Sequence, residues 1–139
     1  MPTLLPTDLL STPAAQESLA RIAGLIERLQ EAAASPQNAE RRQRKPSVTF
    51  GIEEPMTWVR LWNLDTPRYY SDPLYYVEMT LRQKLWRWEN FPDDGLPLTA
   101  EISASLSMYP EYTFVGMELV FSPEGIPTLQ TDHELARTP

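Results

Sequence analysis

Residues 71–101 read SDPLYYVEMTLRQKLWRWENFPDDGLPLTAE, and the fold is decided by how that stretch is parsed. Asp72 is placed to accept hydrogen bonds from the first free amides of a helix. Pro73 suits the first helical position, because its missing N–H would go unpaired there in any case. Leu74, Val77, Leu81, Leu85 and Trp88 recur at spacings of three or four, which lines them along one helix face. Phe91-Pro92 stops the helix and Asp93-Asp94-Gly95 makes a turn. The helix predicted over 73–90 is about 27 Å long at the usual rise per residue. Beyond the turn, Leu98 to Leu106 reads as a strand, with the acid Glu101 inside a run of apolar and small residues.

Outward from this stretch, the same cap-then-proline pattern at Thr12-Pro13 opens a first helix, with Leu19, Ile22, Ile26 and Leu29 as its apolar stripe. Glu17 and Arg21 form a supportive pair four residues apart. Asn38 caps a short second helix through Glu40, Arg41, Arg42 and Gln43. Ser47 to Ile52 is β-branched and reads as a first strand, with Glu53 and Glu54 at its carboxyl end. Met56 to Leu64 forms one or two helical turns carrying Trp58 and Trp62. Val115 to Phe121 is a third strand, followed by a turn at Gly125-Ile126-Pro127, and Asp132 to Leu135 begins a further helix. The expected division is a helical lead over 1–45 and strand–helix units over 46–139.

Composition narrows the function classes. A net charge of −7 argues against general nucleic-acid binding, which needs a basic surface to neutralise phosphates. The absence of cysteine removes disulfides and thiolate metal sites from this segment and fits a cytoplasmic protein. MPTLLPTDLLSTP carries no basic residue, and its apolar run is broken by Pro6 and Asp8, so it reads neither as a signal peptide nor as a membrane span. Fourteen prolines, spread over element edges and not clustered, point to punctuated loops and not to a disordered tract.

Strand, long helix, strand is the order of a βαβ crossover, which implies parallel strands. In that arrangement the loops after each strand gather on one side, where ligands bind in open sheets and in barrels. Glu53, Glu54 and Glu101 would face one another there.

Three runs, RKPSVTFGIEEPMTW, YYSDPLYYVEMTLRQKLWRWENFPDD and VGMELVFSPEGIPTLQTDHEL, taken in order, resemble the N-terminal portion of the uroporphyrinogen decarboxylase superfamily. The resemblance covers residues 40–139 and rests on the order and spacing of its motifs. It implies an α/β fold, the N-terminal part of a (β/α)8 barrel, incomplete at this length. It also implies decarboxylation or zinc-dependent methyl transfer on a small-molecule substrate in the intact enzyme, with no cofactor in this segment and zinc in the full-length protein. An incomplete barrel exposes a sheet edge, so the chain alone is expected to be inactive and prone to self-association. The resemblance assigns an acid after the second strand, and Glu101 matches it as the catalytic candidate. Gly51 to Met56 departs from the family by carrying acids where its arginines lie.

Each candidate has a blander counterpart. Glu53 and Glu54 are substrate-binding candidates, yet neighbours on a strand point to opposite faces, so at most one looks into a site; a solvated strand end explains either equally well. Trp58 is a third substrate-binding candidate because it follows the first strand, whereas most aromatics are simply core. Glu101 has the strongest case, since an unpaired charge inside a strand is costly. Asp93-Asp94 resembles a metal pair but is explained by turn chemistry, and Asp132 beside His133 by helix capping. The basic run Arg41, Arg42, Arg44, Lys45 reads as a solvated helix end. The alternative to an enzyme is a small non-enzymatic α/β interaction module with no nucleic-acid or membrane partner.

Overall fold

The computed structural model describes residues 10–44, 56–99, 101–102, 118–123 and 127–130. They form helices α1 (Pro13–Ala33), α2 (Pro36–Gln43), α3 (Met56–Trp62), α4 (Thr66–Ser71) and α5 (Pro73–Asn90), then strands β1 (Glu118–Phe121) and β2 (Pro127–Gln130). The chain divides into two compact units, Met1–Gly51 with Pro73–Ile102, and Ile52–Asp72 with Ser103–Pro139.

In the first unit, Thr12 caps α1 by accepting from the Ala15 amide at 3.2 Å, with Pro13 at the start of the helix. The buried face of α1 is Ala15, Ser18, Ile22 and Leu29, with Leu25 and Ala32 half-buried against the same core. The expected stripe holds at Ile22 and Leu29 and fails at Ile26, which is exposed while Leu25 faces inward. The predicted bounds and stripe of α5 hold, because Leu81 and Leu85 are buried with Leu74, Val77 and Trp88 packed around them. Ile22, Leu29, Leu81, Leu85 and Leu98 form one cluster, each leucine worth about 1.5–3 kcal/mol of transfer free energy.

Two ion pairs show how α1 and α5 are arranged. Arg21 meets Glu78 at 3.0 Å and Arg28 meets Glu89 at 2.6 Å, so contacts advance toward the C-terminus on both helices together. The helices run in the same direction, which the long intervening chain permits. Their C-terminal ends, each carrying partial negative charge, lie at the same end of the unit.

The second unit carries α3, α4 and the two strands. Asn63 follows α3 with φ of 53°, a left-handed value that asparagine tolerates better than most residues at a helix end. Asp65 caps α4 by accepting from the Arg68 amide at 3.1 Å. Trp58, Leu64, Thr66 and Tyr69 are buried, and Tyr70 stacks on Phe121 at 5.9 Å.

The described strands overturn the parallel barrel. β1 pairs with β2 antiparallel, Glu118 opposite Gln130 and Phe121 opposite Pro127, in a two-stranded sheet. Only residues 122–126 separate the two, and a connection that short returns a strand antiparallel; a parallel neighbour needs a crossover of about a dozen residues or more. The strand expected over 98–106 is also absent where it is described, since residues 98, 99, 101 and 102 carry no strand. Side chains take the backbone groups a neighbouring strand would have taken. Asn38 binds both the amide and the carbonyl of Leu98, and Lys84 donates to the carbonyls of Thr99 and Glu101. The strand expected over 47–52 and the helix start at 132–135 lie outside the described residues.

Candidate functional site

The cap of α2 determines where its side chains go. Ser35 and not Asn38 is the N-cap, accepting from the Asn38 amide at 3.2 Å with Pro36 following it. Asn38 thus falls inside the helix, and Asn38 and Arg41, three residues apart, share one face. Both are buried, at 0% and 3% exposure. Asn38 donates through Nδ2 to the carbonyls of Ala33 (2.8 Å) and Leu98 (3.0 Å), and its Oδ1 accepts from the Leu98 amide at 2.7 Å. The segment after α5 is thereby pinned against α2.

α5 supplies Lys84, Arg87 and Trp88, which share one face by the same three-and-four spacing. Asp94 sits in the following turn, where its amide donates to the Phe91 carbonyl at 3.1 Å. Its Oδ1 accepts from the Leu96 amide at 3.2 Å, as a turn aspartate does two residues on. Its Oδ2 accepts a close charged hydrogen bond from Arg87 Nε. Asp94 is fully buried, so the turn reading of Asp93-Asp94 is right in kind and the buried ion pair is additional.

Between α2, α5 and residues 94–99 lies a pocket of about 210 Å³. Its charged lining is Arg41, Lys84, Arg87 and Asp94, and Trp88 and residues 96–98 give it apolar walls. The Arg41 guanidinium stacks over Trp88, Cζ 4.0 Å from the ring centroid. Its Nη2 donates to the carbonyls of Phe91 (2.9 Å) and Pro92 (3.1 Å), which places a cation at the C-terminal end of α5. Arg41 Nε is buried and has no hydrogen-bond partner. Burial pushes Arg41 below the ordinary arginine range, with Asp94 pulling the other way. Lys84 donates to Thr99 O (3.2 Å), to Thr99 Oγ1 (3.4 Å) and closely to Glu101 O. Burial pushes it below the ordinary lysine range against the attraction of the Glu101 carboxylate.

The residues expected to form a site are placed as follows. Glu101 is exposed and takes part through its backbone carbonyl, so the cost of burying an unpaired charge, which favoured it, does not arise. Trp58 is 1% exposed and packs against Trp62 with ring centroids 4.6 Å apart and planes tilted by 37°, the core role that most aromatics have. Glu53 and Glu54 lie outside the described residues. Among the described residues no group of three or more His, Cys, Asp or Glu is arranged to hold a metal ion. No described helix is long and apolar enough to cross a membrane.

The sequence pattern makes Asn38 a cap and Arg41 a solvated cation, whereas the structure buries both. Ser35-Pro36 carried the missed signal: the pattern recognised at Thr12-Pro13 recurs there and shifts Asn38 into the helix. No family model matches the chain, and no curated protein or solved structure matches it.

Proposed function

We propose that the chain belongs to a protein of the uroporphyrinogen decarboxylase superfamily type, whose intact form acts on a small molecule by decarboxylation or zinc-dependent methyl transfer. In this reading the helical part supports the chemistry and does not perform it. The observation that carries it is α5. The resemblance assigns a helix that begins at an Asp-Pro pair and packs as an outer layer. α5 starts at Pro73, ends at Asn90 and buries its apolar stripe as a structural layer. The reading no longer draws on parallel strands. Glu101 remains its candidate acid, an acceptor for substrate N–H or O–H groups, with Glu53 and Glu54 as its substrate-side candidates; Trp58, buried in the core, is not among them. The cysteine-free composition fits a cytoplasmic setting.

A second reading, a non-enzymatic recognition module, is favoured by the pocket lining. Two of its three cations are arginines, which hold their charge and do not exchange protons near neutral pH. Assays for porphyrinogen decarboxylation and zinc-dependent methyl transfer separate the two readings. Native preparations containing this chain are expected to show one of these activities, and the 139-residue chain alone neither. Neither activity in the native preparation overturns the family reading, and turnover by the isolated chain overturns the supporting role.

A further inference from the structure

We propose that the pocket between α2, α5 and residues 94–99 binds a small organic anion, a carboxylate carried on an apolar body. The site holds regardless of whether the intact protein is catalytic.

The charge is the first argument. Three cations and one carboxylate line the pocket of a chain whose net charge is −7. Arg87 is matched by Asp94. Arg41 and Lys84 donate to carbonyl oxygens and the Thr99 hydroxyl, neutral groups that satisfy N–H donors without cancelling charge. The C-terminal end of α5 offsets about half an elementary charge, which falls short of the surplus. Asp93 and Glu101 act on Arg41 and Lys84 from exposed positions, where water screens them.

The second argument is a donor without an acceptor. Arg41 is 3% exposed, lines the pocket, and has a buried Nε–H with no partner. A buried donor left unmade costs about 1–3 kcal/mol; Nε is closed to solvent, so a ligand oxygen reaches it when the Arg41 side chain shifts toward the pocket, and recovers that cost. Charge-assisted bonds from guanidinium to carboxylate are among the stronger hydrogen bonds available to a protein.

The walls choose the class of anion. Trp88, Leu96, Pro97 and Leu98 give the pocket an apolar lining, and Leu96 is 47% exposed at its edge. Bare phosphate would use the cations and waste these surfaces; a carboxylate on a ring or short hydrocarbon uses both. Pockets that combine apolar walls with a few converging polar groups are the usual form of small-molecule sites.

Benzoate is the probe, with benzamide as its neutral counterpart, acetate as the head group alone and inorganic phosphate as the competing chemistry. Calorimetric titration of the full chain should show saturable benzoate binding, weaker acetate and phosphate binding, and none for benzamide. In ¹⁵N spectra the Arg41 Nε–H resonance should move with benzoate. Lys84→Met should weaken benzoate about tenfold, and Arg41→Lys, which keeps the charge but removes the Nε–H, should weaken it by a similar factor. Affinity should also fall as salt rises, an arm that needs no variant. Benzamide binding as tightly as benzoate, phosphate binding more tightly, unchanged affinity in a folded Lys84→Met, or no saturable benzoate binding would each overturn the assignment.

Discussion

The two ends of α5 handle buried charge in opposite ways. Toward its N-terminal half, Glu78 is 4% exposed and receives Arg21 Nε at 3.0 Å and Arg82 Nη2 at 2.9 Å. That carboxylate is both hydrogen-bonded and electrically matched, by two arginines that stay nearly half exposed. Toward the C-terminal half, Arg41 and Lys84 are hydrogen-bonded chiefly to carbonyl oxygens, and their charge is not cancelled. Hydrogen bonding and charge neutralisation are separate requirements: Glu78 meets both, whereas Arg41 and Lys84 place donors on neutral oxygens, Arg41 Nε–H excepted, and meet the second only in part. An arrangement of the first kind contributes to stability, whereas the second keeps a field inside a pocket.

The largest expected effect comes from removing the clamp that closes the open end. Asn38→Ala deletes three hydrogen bonds and leaves the buried amide and carbonyl of Leu98 without their partners. Two stranded backbone groups imply a loss of about 3 kcal/mol, read as a lower urea midpoint. The same variant should lose the pocket, since residues 96–99 are no longer pinned against α2. A change below about 1 kcal/mol would mean that the Leu98 segment is held by its apolar contacts alone and that the clamp is incidental.

Glu78→Gln tests the matched end. Burial alone would push the Glu78 carboxyl up, but the hydrogen bonds from Arg21 and Arg82 outweigh it and hold the group below the ordinary glutamate range. A carboxyl whose folded pKa is depressed contributes stability above its unfolded value, about 4.3, and loses it as pH falls through the folded value. The amide keeps the shape and removes the charge, and with both arginines able to rehydrate the cost at pH 7 is about 1.5 kcal/mol, the low end for charged hydrogen bonds. Urea melts of the two proteins should therefore differ at pH 7 and converge as pH drops below about 4. A gap that stays constant down to pH 3 would show that the loss is one of packing and not of charge.

This contrast was only partly visible in the residues themselves. The bounds of α5 and its stripe from Leu74 to Trp88 could be read because capping and periodicity are local properties. The stripe of α1 is legible at Ile22 and Leu29, but Ala15 and Ser18, which hydrophobicity alone does not mark, complete it, and Leu25 takes the place expected of Ile26. Asn38 and Arg41 find partners 60 and about 50 residues away, and nothing near them in sequence announces Leu98, Phe91 or Pro92. The run 98–106 has strand composition, but composition does not say whether another strand or the side chains of Asn38 and Lys84 will take its backbone groups. The partner of β1 is missed because Pro127, read as part of the turn, begins β2.

The smallest effect is the most discriminating. Lys84→Met keeps the aliphatic stem and removes the ammonium that reaches Thr99 and Glu101. Both of those residues are exposed, so water can replace the lost donor at their carbonyls, and the carboxylate of Glu101 loses only a screened attraction. The half-buried lysine meanwhile sheds the cost of holding a charge away from water. These terms nearly cancel, and the change in unfolding free energy should stay within about 0.5 kcal/mol, as for most exposed charge contacts. If Lys84 were present to tie residues 99–101 to α5, its removal would instead lower the urea midpoint by an amount comparable to Glu78→Gln. A melt that does not move, in the same preparation where benzoate affinity drops, would show that the charge at the open end serves a ligand and not the fold.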